Sequence, residues 1–247
     1  MATAAPSSPV PHPYYPPSTL LPNYVPNSWH FLTLLGTFAA GCTAVLGVAG
    51  LGARSLRPDL RGSELATVLW FVLSGCIHVL FEGYYVYNFD RIAGAQDLFG
   101  QLWKEYAYSD SRYLTTNVGV LCMEVITVLL WGPLCFTVAA MIVTDHPLRY
   151  PLQGLVSLGQ LYGDVLYYVT SLTDLYLLGV SYSRPERFFF WVYFVGLNSF
   201  WLFIPARLIW KSVRETGESF AVRRKMERTL KRGRERLEWE REGKKVL

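Results

Sequence analysis

The run Cys76-Ile77-His78-Val79-Leu80-Phe81-Glu82 decides the fold, because it places a histidine and a glutamate inside a stretch apolar enough to cross a membrane. Their spacing of four residues puts both side chains on one helix face. Ionisable groups at such depth are costly, rare and usually functional. Two further apolar stretches carry an acidic residue in the same way: Cys122-Met123-Glu124-Val125-Ile126-Thr127 and Tyr162-Gly163-Asp164-Val165-Leu166-Tyr167. The three stretches together predict a polar site within a membrane.

The composition of the whole chain is that of a membrane protein. Of 247 residues, 51% are hydrophobic and 17% are charged, against about 25% charged in soluble domains. The segment from Lys211 onward holds 13 of the 23 basic and 7 of the 19 acidic residues. The net charge of +4 therefore belongs to a tail, and no nucleic-acid-binding domain is indicated.

Cysteines and glycines give no indication of a metal or an organic cofactor. All four cysteines lie in apolar segments, and their spacing fits neither a zinc site nor a disulfide framework. The cluster Gly47, Gly50 and Gly52 lies in an apolar helix with no strand before it, so it does not read as a phosphate-binding loop. We expect no cofactor and no bound metal.

Five apolar segments have about the length needed to cross roughly 30 Å of hydrocarbon. They are predicted to run from about Trp29 to Ala53, Leu65 to Phe89, Val118 to Thr144, Leu152 to Thr173, and Phe188 to Trp210. The predicted fold is an all-α membrane protein, a bundle of five transmembrane helices around an intramembrane cavity. Residues 1–27 form a Pro-rich segment that cannot be a long helix, residues 28–211 the transmembrane domain, and residues 212–247 a charged, solvated tail.

Positive charge predicts the orientation of the bundle. The basic tail and the loop carrying Arg54, Arg57 and Arg61 should both face the cytosol. An even number of crossings separates them, so the two assignments agree. The N-terminus and the mixed-charge loop 90–117 would then be lumenal. The terminal run Lys244-Lys245-Val246-Leu247 has the form of a dilysine retrieval address, which predicts a multi-pass protein of the endoplasmic reticulum membrane.

The polar residues of four spans are predicted to lie at similar depth. At about 1.5 Å of rise per residue, all are roughly 9–16 Å from the lumenal end of their span: His78, Glu82, Glu124, Thr127, Asp164 and Asn198. Each could have a structural role alone, as an interhelical hydrogen bond or a buried ion pair. Several ionisable groups at one level favour a site instead.

These residues suit proton transfer in an apolar, aromatic cavity, and no nucleophile is evident. A buried carboxyl that stays neutral can act as an acid, and an ionised neighbour can act as a base. The π face of Trp201 and a carboxylate both suit a cation. Such a site could protonate a carbon–carbon double bond of a lipid, stabilise the carbocation and remove a different proton. Lipophilic amines would bind as mimics of that cation.

A resemblance to a known family covers roughly residues 12–210. It rests on the following runs: His12-Pro13-Tyr14, Tyr24-Val25-Pro26-Asn27, His78 to Gly83, Gln101-Leu102-Trp103-Lys104-Glu105-Tyr106, Asp110-Ser111-Arg112-Tyr113, Cys122-Met123-Glu124, Trp131-Gly132-Pro133-Leu134, His146-Pro147-Leu148-Arg149, Gly159 to Tyr167, and Asn198 with Trp201. The sequence resembles the emopamil-binding protein family, the sterol Δ8–Δ7 isomerases of the wider EXPERA group. The tail beyond residue 211 lies outside the resemblance.

The resemblance implies a cholestenol Δ-isomerase that moves the sterol B-ring double bond from Δ8 to Δ7 without a cofactor. The catalytic residues would be His78, Glu82 and Glu124. Substrate-binding candidates are Thr127, Asn198, Trp201, Tyr106, Asp110, Arg112 and Tyr113, to which we add Asp164. The expected partners are a Δ8-sterol, lipophilic amine inhibitors and membrane lipid, but no nucleic acid. A homodimer is an open alternative to a monomer.

Two other functions remain open at this point. One is a non-catalytic membrane protein that binds sterols or cationic amphiphiles. The other is a proton-coupled carrier in which Asp164, Glu82 and Glu124 form a relay, although the chain has no internal repeat of the kind that carriers use. For the isomerase, we expect His78 and Glu82 to relay the proton, Glu124 and Trp201 to face the cation, and Thr127 and Asn198 to orient these groups.

Overall fold

A computed structural model describes residues 11–243, and within that range all regular structure is helical. The dilysine sequence Lys244-Lys245 lies outside the described residues. Six helices follow one another: α1 (Phe31–Leu56), α2 (Gly62–Asn88), α3 (Leu98–Tyr106), α4 (Val118–Val143), α5 (Arg149–Leu178), and α6, which begins with Phe189–Leu197 and continues through Asn198–Gly243. The all-helical prediction is confirmed.

Four of the described helices are long and apolar enough to cross a membrane: α1, α2, α4 and the first part of α6. The predicted count of five crossings is therefore not confirmed. The fifth predicted segment does form a helix, α5, of 30 residues. Two aspartates and two glutamines lower its apolar character: Asp164, Asp174, Gln153 and Gln160.

Local sequence signals set the ends of these helices. The side chains of Asp97 and Asn117 accept hydrogen bonds from the first turns of α3 and α4, as helix N-caps do. Helix α1 ends at Leu56, just before the sequence Arg57-Pro58, because the residue before a proline disfavours helical geometry. Helix α5 ends at Gly179, whose φ of 67° is the left-handed conformation that glycine adopts freely.

Three of the long helices contain π-helical segments, at Ile77–Glu82 in α2, Thr127–Trp131 in α4 and Phe189–Leu197 in α6. Pro133 follows the α4 segment and has no N–H to offer the carbonyl one turn back, which favours a wider turn there. The α2 and α4 segments touch at Gly132, where an added Cβ would lie 2.6 Å from a methyl of Val79. Wide turns of this kind occur often at functional sites.

The segment between α2 and α4 is a folded cap rather than an open loop. It contains α3 and a short 3₁₀ turn at Ser111–Leu114, and most of its side chains are buried. Residues 11–29, which we call the strap, lie across this cap without forming a helix, as the proline content predicts. The hydroxyl of Tyr14 donates to the carbonyl of Lys104, and the side chain of Gln101 accepts from the backbone N–H groups of Ser28 and Trp29.

The core has two hydrophobic clusters, one at each end of the bundle. At the cap end, the strap and the cap pack against α2, α4, α5 and α6 around Tyr85, Trp103 and Tyr113. The tail end, next to the long exposed extension of α6, packs α1, α2, α4, α5 and α6 around Phe71 and Val138. The extension is helical to Gly243, and its side chains from Gly217 to Trp239 are exposed. That this segment is a solvated tail stays a prediction.

Candidate active site

A cavity of about 360 Å³ lies between the helices and beneath the cap, within the range of small-molecule binding sites. Side chains from α1, α2, α3, α4, α5 and α6 line it. Nine of the eleven residues predicted for the site are among the lining residues: His78, Glu82, Tyr106, Tyr113, Glu124, Thr127, Asp164, Asn198 and Trp201. Polar groups from separate helices therefore gather around one apolar cavity.

The π-helical segment of α2 carries the pair His78 and Glu82. The Nδ1 atom of His78 lies 3.0 and 2.9 Å from the two carboxyl oxygens of Glu82. His78 is buried. A short contact to both oxygens makes this a charge-assisted hydrogen bond when either partner is ionised. The two residues can therefore exchange or share a proton at the cavity wall.

Glu124 of α4 lines the same cavity as this pair, with its carboxyl near that of Glu82. Its Oε1 atom accepts a 2.7 Å hydrogen bond from the hydroxyl of Tyr113. Glu124 is also buried. Two adjacent carboxyls in an apolar cavity favour a state in which one of them carries a proton. The arrangement provides an acid and a carboxylate side by side.

Gln160 of α5 completes the contacts of His78, and sequence reasoning missed it. Its Nε2 atom lies 3.1 Å from the Nε2 atom of His78, and Gln160 is only 4% exposed. A signal was present in the sequence. Gln160 lies four residues before Asp164, so both face the same side of α5, and a polar amide in an apolar stretch is itself unusual.

Trp201 covers the histidine from α6. The ring of Trp201 lies 6.4 Å from that of His78 and 5.3 Å from that of Trp70. Its Nε1 atom has no hydrogen-bond partner within residues 11–243. The indole thus lies at the cavity wall close to His78, and an aromatic ring there can stabilise a positive charge.

Asn198 belongs to a network under the cap. Its amide donates 2.9 Å to the hydroxyl of Tyr106, which lies 3.0 Å from the hydroxyl of Tyr167. Thr127 lines the cavity but donates its hydroxyl to the carbonyl of Met123 on its own helix, 2.9 Å away. The network orients the cavity wall, while Thr127 makes no described hydrogen bond to another predicted site residue.

Asp164 lines the cavity on the α5 side. Its Oδ2 atom is buried and has no hydrogen-bond partner in the described part of the chain. Asp110 and Arg112, by contrast, are not lining residues. They form a buried ion pair of 2.6 Å, and Arg112 also donates to the carbonyl of Tyr167. Their assignment as substrate-binding residues stays a prediction, and in the structure their contacts connect the cap to Tyr167, which does line the cavity.

Two other charged groups of the cap, Lys104 and Glu105, are buried and form no ion pair among the described residues. The Nζ atom of Lys104 donates 2.7 Å to the carbonyl of Val25 in the strap, and burial lowers the pKa of Lys104 to about 8. Burial raises the pKa of Glu105, which accepts a hydrogen bond from the hydroxyl of Tyr193. Both contacts attach the cap to neighbouring segments. Among the described residues, no cluster of histidine, cysteine or acidic side chains is arranged to hold a metal.

Comparison with known proteins agrees with this geometry. The family model described as EXPERA, the expanded EBP superfamily, matches residues 98–212. The chain is 37% identical over 207 residues to the 3-beta-hydroxysteroid-Delta(8),Delta(7)-isomerase of Cavia porcellus, covering 83% of this chain and 88% of that protein. The enzyme of the same name from Rattus norvegicus is 38% identical, covering 82% and 87%. Isomeliandiol synthase of Melia azedarach is 35% identical over 154 residues, covering 61% and 70%. The chain belongs to the EBP family of the EXPERA superfamily.

Proposed function

We propose that the protein is a cholestenol Δ-isomerase, which moves the B-ring double bond of a sterol from Δ8 to Δ7. One observation carries the proposal: His78, Glu82 and Glu124 meet at the wall of one apolar cavity, beside the ring of Trp201. Relatives that are named for this reaction cover more than four-fifths of the chain. A protein that only bound sterols would not need adjacent acids at the centre of its cavity.

The reaction adds one proton to a ring carbon and removes another from a nearby carbon, so it needs no external reactant. Glu82, in contact with Nδ1 of His78, gives its proton to the Δ8 double bond, and the positive charge forms on the sterol. The carboxylate of Glu124 and the face of Trp201 stabilise this carbocation. The acidic pair of Glu82 and His78 then takes up the second proton, which leaves the Δ7 double bond and restores the starting state.

The other predicted residues orient the substrate. Asn198, Tyr106 and Tyr113 hold the wall beneath the cap, and Thr127 adds a small polar surface. The free Oδ2 atom of Asp164 offers an acceptor for a polar group of the ligand. Lipophilic amines inhibit by placing an ammonium group where the carbocation forms. Membrane lipid surrounds the bundle, and a homodimer through the exposed face of α1 is compatible with its small residues.

The membrane topology is part of the proposal. Helix α5 makes the fifth crossing, because its 30 residues span about 45 Å and it lies along α6 from Tyr168 at one end to Gln153 at the other. With five crossings, the strap and the cap are lumenal and the charged tail is cytosolic in the endoplasmic reticulum membrane. Residues 28–211 then form the transmembrane domain, flanked by the Pro-rich segment 1–27 and the tail 212–247.

The test is expression in cells that lack sterol isomerase, with sterols measured by mass spectrometry. The chain should consume Δ8-sterol and yield Δ7-sterol, whereas His78→Ala and Glu124→Gln should not. Glu64→Gln is the matched control, because Glu64 is a buried glutamate at the tail end, outside the cavity. Product formation at the normal rate by both cavity variants would contradict the proposed catalytic roles. No product from the unaltered chain would contradict the function.

A further inference from the structure

Gln160 makes the hydrogen bond on the far side of the His78 ring from Glu82. The two ring nitrogens of His78 thus have different partners, with Nδ1 near the carboxyl of Glu82 and Nε2 at 3.1 Å from the amide Nε2 of Gln160. The same amide nitrogen lies 3.6 Å from the sulfur of Cys135. His78 and Gln160 are 3% and 4% exposed, so water does not compete freely for these bonds.

An amide nitrogen can donate a hydrogen bond but cannot accept one. With the amide nitrogen as donor, the Nε2 atom of a neutral His78 is the acceptor, and the ring proton lies on Nδ1, where it points at Glu82. The Oε1 atom of Gln160 is buried and has no hydrogen-bond partner among residues 11–243. The hydrogen bond that one ring nitrogen makes decides which tautomer an imidazole adopts.

We propose that Gln160 is a positioning residue that holds His78 in its Nδ1–H tautomer during the isomerisation proposed above, on which this inference rests. When Glu82 has given its proton to the sterol, its carboxylate is stabilised by the N–H of His78. In the other tautomer, a lone pair of Nδ1 would face the carboxylate and destabilise it. Gln160 itself gains and loses no proton, so the balance of the reaction is unchanged.

The test compares three variants of the purified full-length protein in lipid nanodiscs, with a Δ8-sterol as substrate. Gln160→Met keeps the size of the side chain but cannot hydrogen bond to His78. Gln160→Glu donates only when its carboxyl is protonated. Gln153→Met is the matched control, since Gln153 is a buried amide seven residues earlier on the same helix that donates to Leu208 and Ser212, away from the cavity.

Gln160→Met should lower kcat at least about tenfold, while KM and the binding of a lipophilic amine change less than about threefold. Gln153→Met should keep the kcat of the unaltered protein per folded molecule. A kcat for Gln160→Met within about threefold of the unaltered protein, or an equal loss in Gln153→Met, would overturn the inference. Absence of turnover in the unaltered protein would instead contradict the proposed isomerase function.

The pH dependence separates positioning from simple packing. Activity of Gln160→Glu relative to the unaltered protein should rise as the pH falls, because a protonated carboxyl donates to Nε2 as the amide does. Gln160→Met should show no such recovery. Cys135 lies beside Gln160, and the other titratable groups that line the cavity are Glu82, Glu124, Asp164, Tyr106, Tyr113, Tyr167 and Cys42. Dividing by the activity of the unaltered protein at each pH removes the contribution of these shared groups. A ratio that does not change with pH would count against the assigned role.

Discussion

The two ends of the bundle are built from different side chains. Seven of the thirteen buried residues in the cap-end cluster are aromatic, whereas Phe71 is the single aromatic among the ten at the tail end. Large flat rings pack edge to face and leave spaces that their hydroxyl groups can line. Small aliphatic side chains fill space more completely. The cavity accordingly lies beside the aromatic cluster.

The buried charges of the two ends differ in the same way. At the tail end, Glu64 is paired with Arg149 at 2.7 Å, and Asp145 lies 3.2 Å from the same arginine. At the cap end, Glu82 and Glu124 face each other without a nearby arginine or lysine in the cavity lining. A buried charge with an opposite partner contributes to the stability of the fold. A buried charge without one lowers stability, which proteins tolerate where function requires it. This contrast predicts that acid-to-amide substitutions have opposite consequences at the two ends.

The largest effect is expected for Glu82→Gln. The amide can still accept a hydrogen bond from His78 but cannot shuttle a proton, so kcat should fall by about 10²- to 10⁴-fold. That loss corresponds to roughly 3–5 kcal/mol of barrier. Thermal unfolding in detergent should occur at the same temperature or higher, because one of two facing carboxyls is removed. A lower unfolding temperature with unchanged turnover would show that the Glu82 carboxyl serves stability rather than catalysis.

Glu64→Gln should have the opposite outcome at the tail end. Removing one partner of a buried ion pair leaves Arg149 poorly compensated, although Asp145 remains in reach. We expect a loss of about 1–3 kcal/mol of unfolding free energy and an unchanged kcat per folded molecule. Denaturation and turnover measured on one preparation test both parts. Unchanged stability would mean that solvent already screens this pair.

The sequence was sufficient to predict the helical class and most of the strongly polar side chains that line the cavity. Charged and polar residues are rare in membrane-spanning segments, so each one in an apolar run is easily recognised. The sequence was insufficient for the cap. Gln101, Lys104, Asp110 and Arg112 lie in a segment that the sequence analysis described only as a mixed-charge loop, but all four are buried in the structure. The segments that they contact outside the cap are far away in sequence, so no local pattern reveals them. The same applies to Gln160, whose importance depends on a contact with α2.

The sequence analysis also did not predict the π-helical segments, and Pro133, next to the segment in α4, is the one local signal for them. Those of α2 and α4 lie next to the close approach of the two helices at Gly132, which is a property of the packed bundle. The composition of α5 is misleading in a different way, because its average hydropathy is low for a helix inside the bundle. Its polar residues face other helices and the cavity, so its mean hydropathy understates how well it fits a buried position.

A smaller effect should follow from filling the close contact between α5 and the cavity wall. An added Cβ at Gly159 would lie 2.5 Å from the ring of Trp131, a cavity-lining residue. Gly159→Ala should therefore cost about 1–3 kcal/mol of stability and weaken binding of a lipophilic amine as the indole shifts.

Gly163→Ala is the matched control, one turn further along α5. No atom lies within 4 Å of a Cβ added there, and alanine favours a helix by about 1 kcal/mol over glycine. We expect it to be neutral or stabilising, with amine binding retained. Equal destabilisation by the two substitutions, measured by denaturation, would show that helix flexibility rather than the Trp131 contact is responsible.

The last prediction concerns the cap itself, where Lys104 is held by a backbone carbonyl of the strap rather than by a carboxylate. Burial lowers the pKa of Lys104 to about 8 from its ordinary 10.5, although Asp97 acts in the opposite direction. Between these two values the unfolded chain binds a proton that the folded chain does not. Stability should therefore rise with pH across this window, by at most about 1.4 kcal/mol per pH unit.

Lys104→Met isolates this contribution, because it keeps the apolar stem and removes the charge. The difference in unfolding free energy between this variant and the unaltered protein should become smaller as the pH rises from 8 to 10.5. All other titrating groups are shared by the two chains and cancel. A difference independent of pH would mean that the Lys104 ammonium is well solvated by the strap carbonyl. The cap would then resemble the tail end, where each buried charge has a partner, and only the cavity would hold uncompensated groups.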